Sequence, residues 1–398
     1  MISVSEATKI VHKHLVDIKV ERVPIEKSIG RILAEKIVAD RDFPPFNRVM
    51  MDGIAINFEA WESGQKSFKI AATAHAGEPQ INLENKSEAI EVMTGCILPA
   101  NSNVVIPYED IELKSSIAKL KIDQIREFQN IHGQGVDRIK DDLLIEPGIS
   151  ISAAEVGIFA TVGKREVYVK KLPKVAVVSS GDELVEVNEQ PLTHQIRKSN
   201  VYSILASLNN IGIEGSLYHV VDERDEMRDK IQSILKDHDV LIFSGGVSKG
   251  KKDYMPEILD ELGVIKLFHR VKQRPGKPFW FGWTRSNKHV FAFPGNPVST
   301  FLCFYRYFLP WLNASMSNEN KALTATIDQD FSFDKDLTYF LQVSTYSEEG
   351  RVLASPVKGK GSGDLANLLM ADAFLELPAN QTSFKKGDSF PLIRYRLR

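Results

Sequence analysis

Between Lys174 and about Phe308 the chain repeats one pattern: a short uninterrupted apolar run, a turn rich in Gly, Ser or Asp, then apolar residues at helical spacing. The runs are VAVVSS at 175–180, SLYHVV at 216–221, DVLIF at 239–243 and HVFAF at 289–293. A strand covered on both faces reads as a continuous apolar segment, and parallel strands need a long, usually helical crossover to bring the chain back to the same end. Val201, Leu205 and Leu208 predict the first such helix, with Ser199 and Asn200 as capping residues; 225–236 is amphipathic and 298–309 apolar. The expectation is an α/β unit with a parallel sheet, helices on both faces, and a ligand site beyond the C-terminal ends of the strands.

A chain of 398 residues exceeds what one hydrophobic core supports, so further units are expected. Val4, Ala7, Val11, Leu15 and Ile18 recur at helical spacing, and Ser3 with Glu6 forms a capping box. Pro44, Pro45 and Gly53 then break periodicity, and short β-like runs such as FKIAATAHAG and EAIEVMTGCILP follow. The segment ISAAEVGIFATVG is expected to pack back on the N-terminal helix. The predicted organisation is α/β plus β: 1–45 with 141–172 as a discontinuous linking unit, 46–140 as a β-rich insertion, 173–318 as the α/β unit, and 319–398 as a barrel-like β unit. FWFGW at 279–283 reads as strand and core.

Lys and Arg number 50 against 52 Asp and Glu, which gives no broad positive field for nucleic acid. Two cysteines without CxxC spacing argue against a disulfide framework or a thiolate zinc site. Neither a signal-peptide core nor a membrane-length apolar run is present, so a cytoplasmic protein is expected. HExxH and GxxxxGK[ST] are both absent, which removes zinc peptidase and Walker-type ATPase chemistry.

Several turns carry chemistry-bearing residues. SSGDEL offers Ser179, Gly181, Asp182 and Glu183 directly after a buried strand, where Asp182 either faces a ligand or caps a helix. SGGVSKGKKDYM places Ser244, Gly245, Gly246 and Ser248 after DVLIF, a pattern suited to a phosphate, with Asp253 as a possible magnesium ligand. In FPGNPVS, Pro294, Gly295, Asn296 and Pro297 turn the chain from strand to helix, ahead of Ser299. Arg270, Arg274 and Lys277 are candidate oxyanion donors, and Asp52 on its stiff loop is a candidate cleft carboxylate. TGCILPANSNVVIPYED, with Thr94, Glu109 and Asp110, reads on its own residues as a hairpin with ordinary turn chemistry.

In this order, PPFNRVMMDGIA, MTGCILP, GVD at 135–137, SSGDEL, SGGVSKGKKDY, RPGKP, FPGNPVS and KGSGDL resemble the molybdopterin molybdenumtransferases, the family that includes the gephyrin E domain. The resemblance runs from about 1 to 398 and implies a homodimer whose α/β unit binds the pterin phosphate. It also implies use of Mg2+, adenylylated molybdopterin and molybdate to give molybdenum cofactor and AMP. Molybdopterin adenylyltransferase and molybdoenzyme maturation proteins are the partners it suggests. By matched position the site includes Asp52, Thr94, Asp137, Glu183, Asp222 and Asp253, with Pro294, Pro297 and Ser362; Glu183, Asp222 and Asp253 are the metal candidates. The chain departs from the family pattern at Val49, Ile54, Arg270, Arg274 and Gln342, which bears most on molybdate binding. A molybdopterin adenylyltransferase, a noncatalytic molybdopterin scaffold and a preference for tungstate are the alternatives.

Overall fold

The computed structural model describes residues 1–247, 254–318 and 322–396. At its centre a six-stranded sheet runs in the order Ser216–Val220, Val175–Ser180, Val240–Ser244, His289–Phe293, Trp280–Trp283, Ile265–His269. The first four strands are parallel, as expected. The last two join through antiparallel pairs, so Trp280–Trp283 alone runs against the other five and the sheet is mixed. The connection 270–279 carries no crossover helix, and without one the chain can only return alongside in the opposite direction.

Alternation along the central strands feeds two cores. Val175 and Val177 face helices Ser199–Asn209 and Pro297–Cys303, with Phe304, Phe308 and Trp311 beyond. Ala176 and Val178 face Met227, Ile231 and Ile234 of Arg224–Asp237 and Ile258 of Met255–Glu261. The predicted apolar helix continues through a π-turn at Phe304–Phe308 into Leu309–Ser315. Trp280 and Phe281 are buried strand residues.

The N-terminal helix spans Val4–Lys13 and has its capping box: Ser3 N donates to Glu6 Oε2 at 2.7 Å and Glu6 N to Ser3 Oγ at 3.1 Å. It stops short of Leu15, which is exposed. Its partner also differs from expectation. Val4, Ala7 and Val11 join the central sheet's core, where Trp311 Nε1 donates to His14 O. Helix Ala153–Thr161 instead buries Phe159 against Leu33, Ile37, Val167 and Val169, beneath an antiparallel pair of Val20–Pro24 with Glu166–Lys170. The apolar stripe of the first helix is matched to the aromatic-rich sheet face, which offers more area to bury than the small core around Phe159.

A second six-stranded sheet, from Val104–Pro107 to Ile111–Lys114, includes Gly53–Ile56. Near the C-terminus Thr338–Glu348, Arg351–Pro356, Leu323–Ile327, Ser389–Arg394 and Ala373–Leu377 pair in sequence, and the last pairs back with the first to close a five-stranded barrel. Gln273–Arg274 pairs with Thr338 and Tyr339, which fixes the 270s segment against the barrel. No described helix is long and apolar enough to cross a membrane.

His289 lies fully buried in the central sheet, with its ring 5.0 Å from Trp311 and neither ring nitrogen hydrogen-bonded. Burial lowers its pKa from 6.5 to about 4. The unfolded chain takes up this proton below pH 6.5 and the folded chain only near 4, so stability is full above 6.5 and falls as pH drops through that window. The contribution is roughly 3 kcal/mol. Denaturant unfolding of His289→Phe between pH 7 and 4 should give a shallower loss of stability than the parent; parallel profiles would refute this origin of acid sensitivity.

Candidate functional site

The turn after Val175–Ser180 is built on Gly181, whose φ is +130°. A Cβ there would sit 2.3 Å from Glu183 Oε2, so only glycine lets the Glu183 carboxylate fold over the strand end. Asp182 caps no helix: its Oδ1 accepts from Asp222 N at 3.1 Å, and the chain enters the short strand Leu184–Val185. The two turns that end adjacent parallel strands are thereby locked together. Glu183 and Asp222 both line a cavity of about 410 Å³ beyond the strands' C-terminal ends.

Ser244, Gly245 and Gly246 form the next wall, and Pro294, Gly295, Asn296 and Pro297, at the end of the adjacent strand, continue it. Gly245 has φ +102°, and a Cβ there would lie 3.0 Å from Ser180 O. Its N–H is already donated to Phe293 O at 3.1 Å, so an anion at this turn meets the amides that follow it. Ser199 and Asn200 do not cap Ser199–Asn209; the N-cap is Lys198, with no side-chain cap bond. Asn200 instead donates from Nδ2 to Gly295 O at 2.7 Å and Ser244 Oγ at 2.9 Å, tying two cavity walls together. Thr300 Oγ1 donates to Pro294 O and steadies the same turn. Ser179 Oγ lies 3.0 Å from His219 Nδ1; burial, and then the nearby Lys198 ammonium, lower the His219 pKa.

A second cavity of about 650 Å³ shares Pro278, Pro294 and Asn296 with the first. Arg274, Lys277, Lys335 and Lys360 line it, and no carboxylate does among the described residues. Ser299, Ser362 and Gln342 add neutral polar groups. Asn296 Nδ2 donates to Ser362 Oγ at 3.0 Å, and Gln342 Oε1 accepts from Asn367 Nδ2 at 3.1 Å. Beneath the cavity, buried Gln273 donates to the Pro275 and Gly276 carbonyls at 3.2 Å and accepts from Tyr307 Oη, which holds the turn carrying Arg274 and Lys277.

Most of the predicted residues of the α/β unit therefore converge on two joined cavities. Arg270 does not: it lies outside the lining, with φ +81° and its backbone bonded to Phe279 and Ile2. Asp52, Thr94 and Asp137 line neither cavity. Asp52 Oδ1 accepts from Thr94 N at 2.6 Å and Thr94 Oγ1 at 2.8 Å, and these bonds hold its pKa below the usual carboxylate value. Asp137 contacts His132 Nε2 at 3.0 Å. Val49 and Ile54 are fully buried core residues. Ser248 and Asp253 lie outside the described residues. Among the described residues no three His, Cys, Asp or Glu group together as a metal site.

Arg197, Lys198, Asn200 and Lys335 are lining residues outside the motifs, and Lys360 opens the KGSGDL motif without being singled out there. Asn200 reads as a cap, and isolated lysines read as solvated surface, so nothing local in the sequence separates them from their neighbours.

Three family models cover the chain: MoeA N-terminal region (domain I and II) at 2–163, probable molybdopterin binding domain at 176–314, and MoeA C-terminal region (domain IV) at 324–395. A molybdopterin molybdenumtransferase from Synechocystis sp. is 38% identical over 98% of this chain and 99% of its own length. One from Staphylococcus epidermidis is 30% identical over 98% and 95%. The crystal structure of a molybdopterin biosynthesis MoeA protein from Pyrococcus horikoshii superposes with a TM-score of 0.85 at 29% identity, covering all of both chains. A full-length match in sequence and fold, with the family motifs from SSGDEL onward represented at two adjoining cavities, makes this chain a member of the MoeA family of molybdopterin molybdenumtransferases.

Proposed function

We propose that the protein inserts molybdate into adenylylated molybdopterin, releasing AMP and molybdenum cofactor. The observation that carries this reading is the pair of joined cavities: among the described residues, one has glycine-rich turns and two carboxylates, and the other is lined by four cations and no acid. The first suits a phosphorylated organic ligand and the second a small oxyanion.

In this reading the turns at 180–183, 244–247 and 294–297 hold the pterin phosphate and its diphosphate linkage. Glu183 and Asp222 fit Mg2+, which takes one or two protein carboxylates together with substrate phosphates. When bound, the ion would neutralise diphosphate charge. The same carboxylates orient the water whose oxygen attacks phosphorus as the bridging P–O bond breaks and AMP leaves. Arg274 and Lys277 hold the molybdate dianion, and the Ser299 and Ser362 hydroxyls supply neutral donors to its oxygens. Asn296 and the prolines shared by both cavities set the distance between oxyanion and pterin sulfurs. Against an adenylyltransferase stand the units on either side of the α/β domain, which match the MoeA N-terminal and C-terminal regions. Molybdate and tungstate have the same charge and similar size, so both belong in the assay.

The protein also acts as a homodimer in this reading. Support comes from Asp52 and Thr94, an ordered pair outside the lining of either cavity, which a second copy can bring to the cleft. Molybdopterin adenylyltransferase, as the supplier of substrate, and proteins that mature molybdoenzymes are the partners proposed.

Incubation with adenylylated molybdopterin, Mg2+ and molybdate or tungstate should release AMP over many turnovers; a single stoichiometric release would leave only a carrier. Glu183→Gln should slow AMP release by an order of magnitude or more with unchanged thermal unfolding, and full activity would remove its role. Arg274→Ala should raise the molybdate concentration for half-maximal rate about tenfold or more, the scale of losing a charge-assisted hydrogen bond; an unchanged requirement would place the oxyanion elsewhere. Mixing inactive Asp52→Asn with inactive Glu183→Gln under subunit exchange should restore about one active site in four. No recovery would mean that each chain uses its own Asp52 or that no dimer forms.

A further inference from the structure

A cavity that binds phosphate while presenting Glu183 and Asp222 needs positive charge close by, and the described lining supplies it only from Arg197 and Lys198. Arg197 is exposed and donates from Nε to Glu189 O at 3.1 Å. The Lys198 side chain is only 6% exposed, and Nζ stands 2.5 Å from Glu186 Oε1. Its acidic partner is 46% exposed and belongs to the segment 186–195, where Val187 and Leu192 face solvent. The cation is thus held firmly in the cavity wall, and its counter-ion sits on a segment with little burial of its own.

Two further features point the same way. Lys198 is the N-cap of Ser199–Asn209, and with no side chain capping this helix its first amides add partial positive charge at the same wall. Beside them Asn200 Nδ2 is fully used between Ser244 Oγ and Gly295 O, which holds the same wall in place before a ligand arrives. A buried ammonium must keep a counter-charge. A phosphate entering the cavity offers one, with more charge than Glu186 carries.

We propose that Lys198 is the cation that binds the ligand's phosphate in the first cavity, and that Glu186 is its counter-ion in the free protein, displaced when the phosphate arrives. This rests on the reading of that cavity as the pterin-phosphate site. Exchange of partners also couples ligand entry to release of the 186–195 segment from the cavity wall.

Opposite effects of the two halves of one ion pair test the idea. Calorimetric titration would use molybdopterin and inorganic pyrophosphate with the full-length protein, and thermal unfolding would be followed in parallel. Lys198→Gln should weaken both ligands about tenfold or more, and Lys198→Arg should recover most of the loss. Glu186→Gln should tighten both while lowering the ligand-free Tm, because it removes the competitor and leaves the ammonium unpaired. A clasp with a purely structural role would weaken binding when either partner is neutralised, and that result overturns the proposal. Weakening of molybdopterin alone by Lys198→Gln, with pyrophosphate unaffected, would also overturn it by assigning Lys198 to the pterin. Gly245→Val, which puts a side chain against Ser180 O, separates the existence of the phosphate site from the role of Lys198 in it. If it abolishes molybdopterin binding while Lys198→Gln does not, the site stands and the role of Lys198 falls; if neither matters, the ligand binds elsewhere.

Discussion

A sheet covered by helices on both faces can present polar groups to a ligand only where its strands end, and the chemistry of this protein follows from that constraint. Val175–Ser180 and Val240–Ser244 are buried along their whole length, and the residues that follow them are the glycines and carboxylates of the first cavity. The turns are then fastened to one another. Asp182 holds the Asp222 turn, Asn200 ties Ser244 to Gly295, and Gly245 N bonds to Phe293 O. Each contact joins the ends of different strands, so the cavity wall inherits the rigidity of the sheet beneath it.

The second cavity depends on the barrel. Pairing of Gln273–Arg274 with Thr338–Tyr339 brings Lys335, Gln342, Lys360 and Ser362 opposite Arg274 and Lys277. Cations gathered without a carboxylate among the described residues raise the local potential for a small dianion, whereas carboxylates beside basic residues in the first cavity favour a phosphate that arrives with a divalent ion. Keeping the two fields apart yet joined through Pro278, Pro294 and Asn296 lets two anionic substrates bind side by side with less mutual repulsion.

How much of this the sequence discloses depends on the range of the interaction. Parallel strands and their helices are legible because continuous apolar runs and helical spacing are local, and the capping box of Ser3 and Glu6 is legible for the same reason. Long-range choices are not. The helix Val4–Lys13 shows an apolar stripe, but nothing in it says that the stripe meets Trp311 and not Phe159. Arg270 and Arg274 look alike as neighbouring basic residues; the strand pairing at 273–274 sends one to the cavity, and the backbone bonds of Arg270 to Phe279 and Ile2 keep the other at the edge. Lys198 reads as surface because its burial comes from Glu186 and the surrounding walls. The motif glycines and carboxylates are legible since their turns follow directly on strands.

The division of labour between the cavities can be observed directly. Crystals grown with molybdopterin and molybdate, with diffraction recorded on both sides of the molybdenum absorption edge, would locate the metal by its anomalous signal. The account predicts a peak among Arg274, Lys277 and Ser362, with pterin-phosphate density against the Gly245 turn. A molybdenum peak beside Glu183 and Asp222, or away from both cavities, would contradict it.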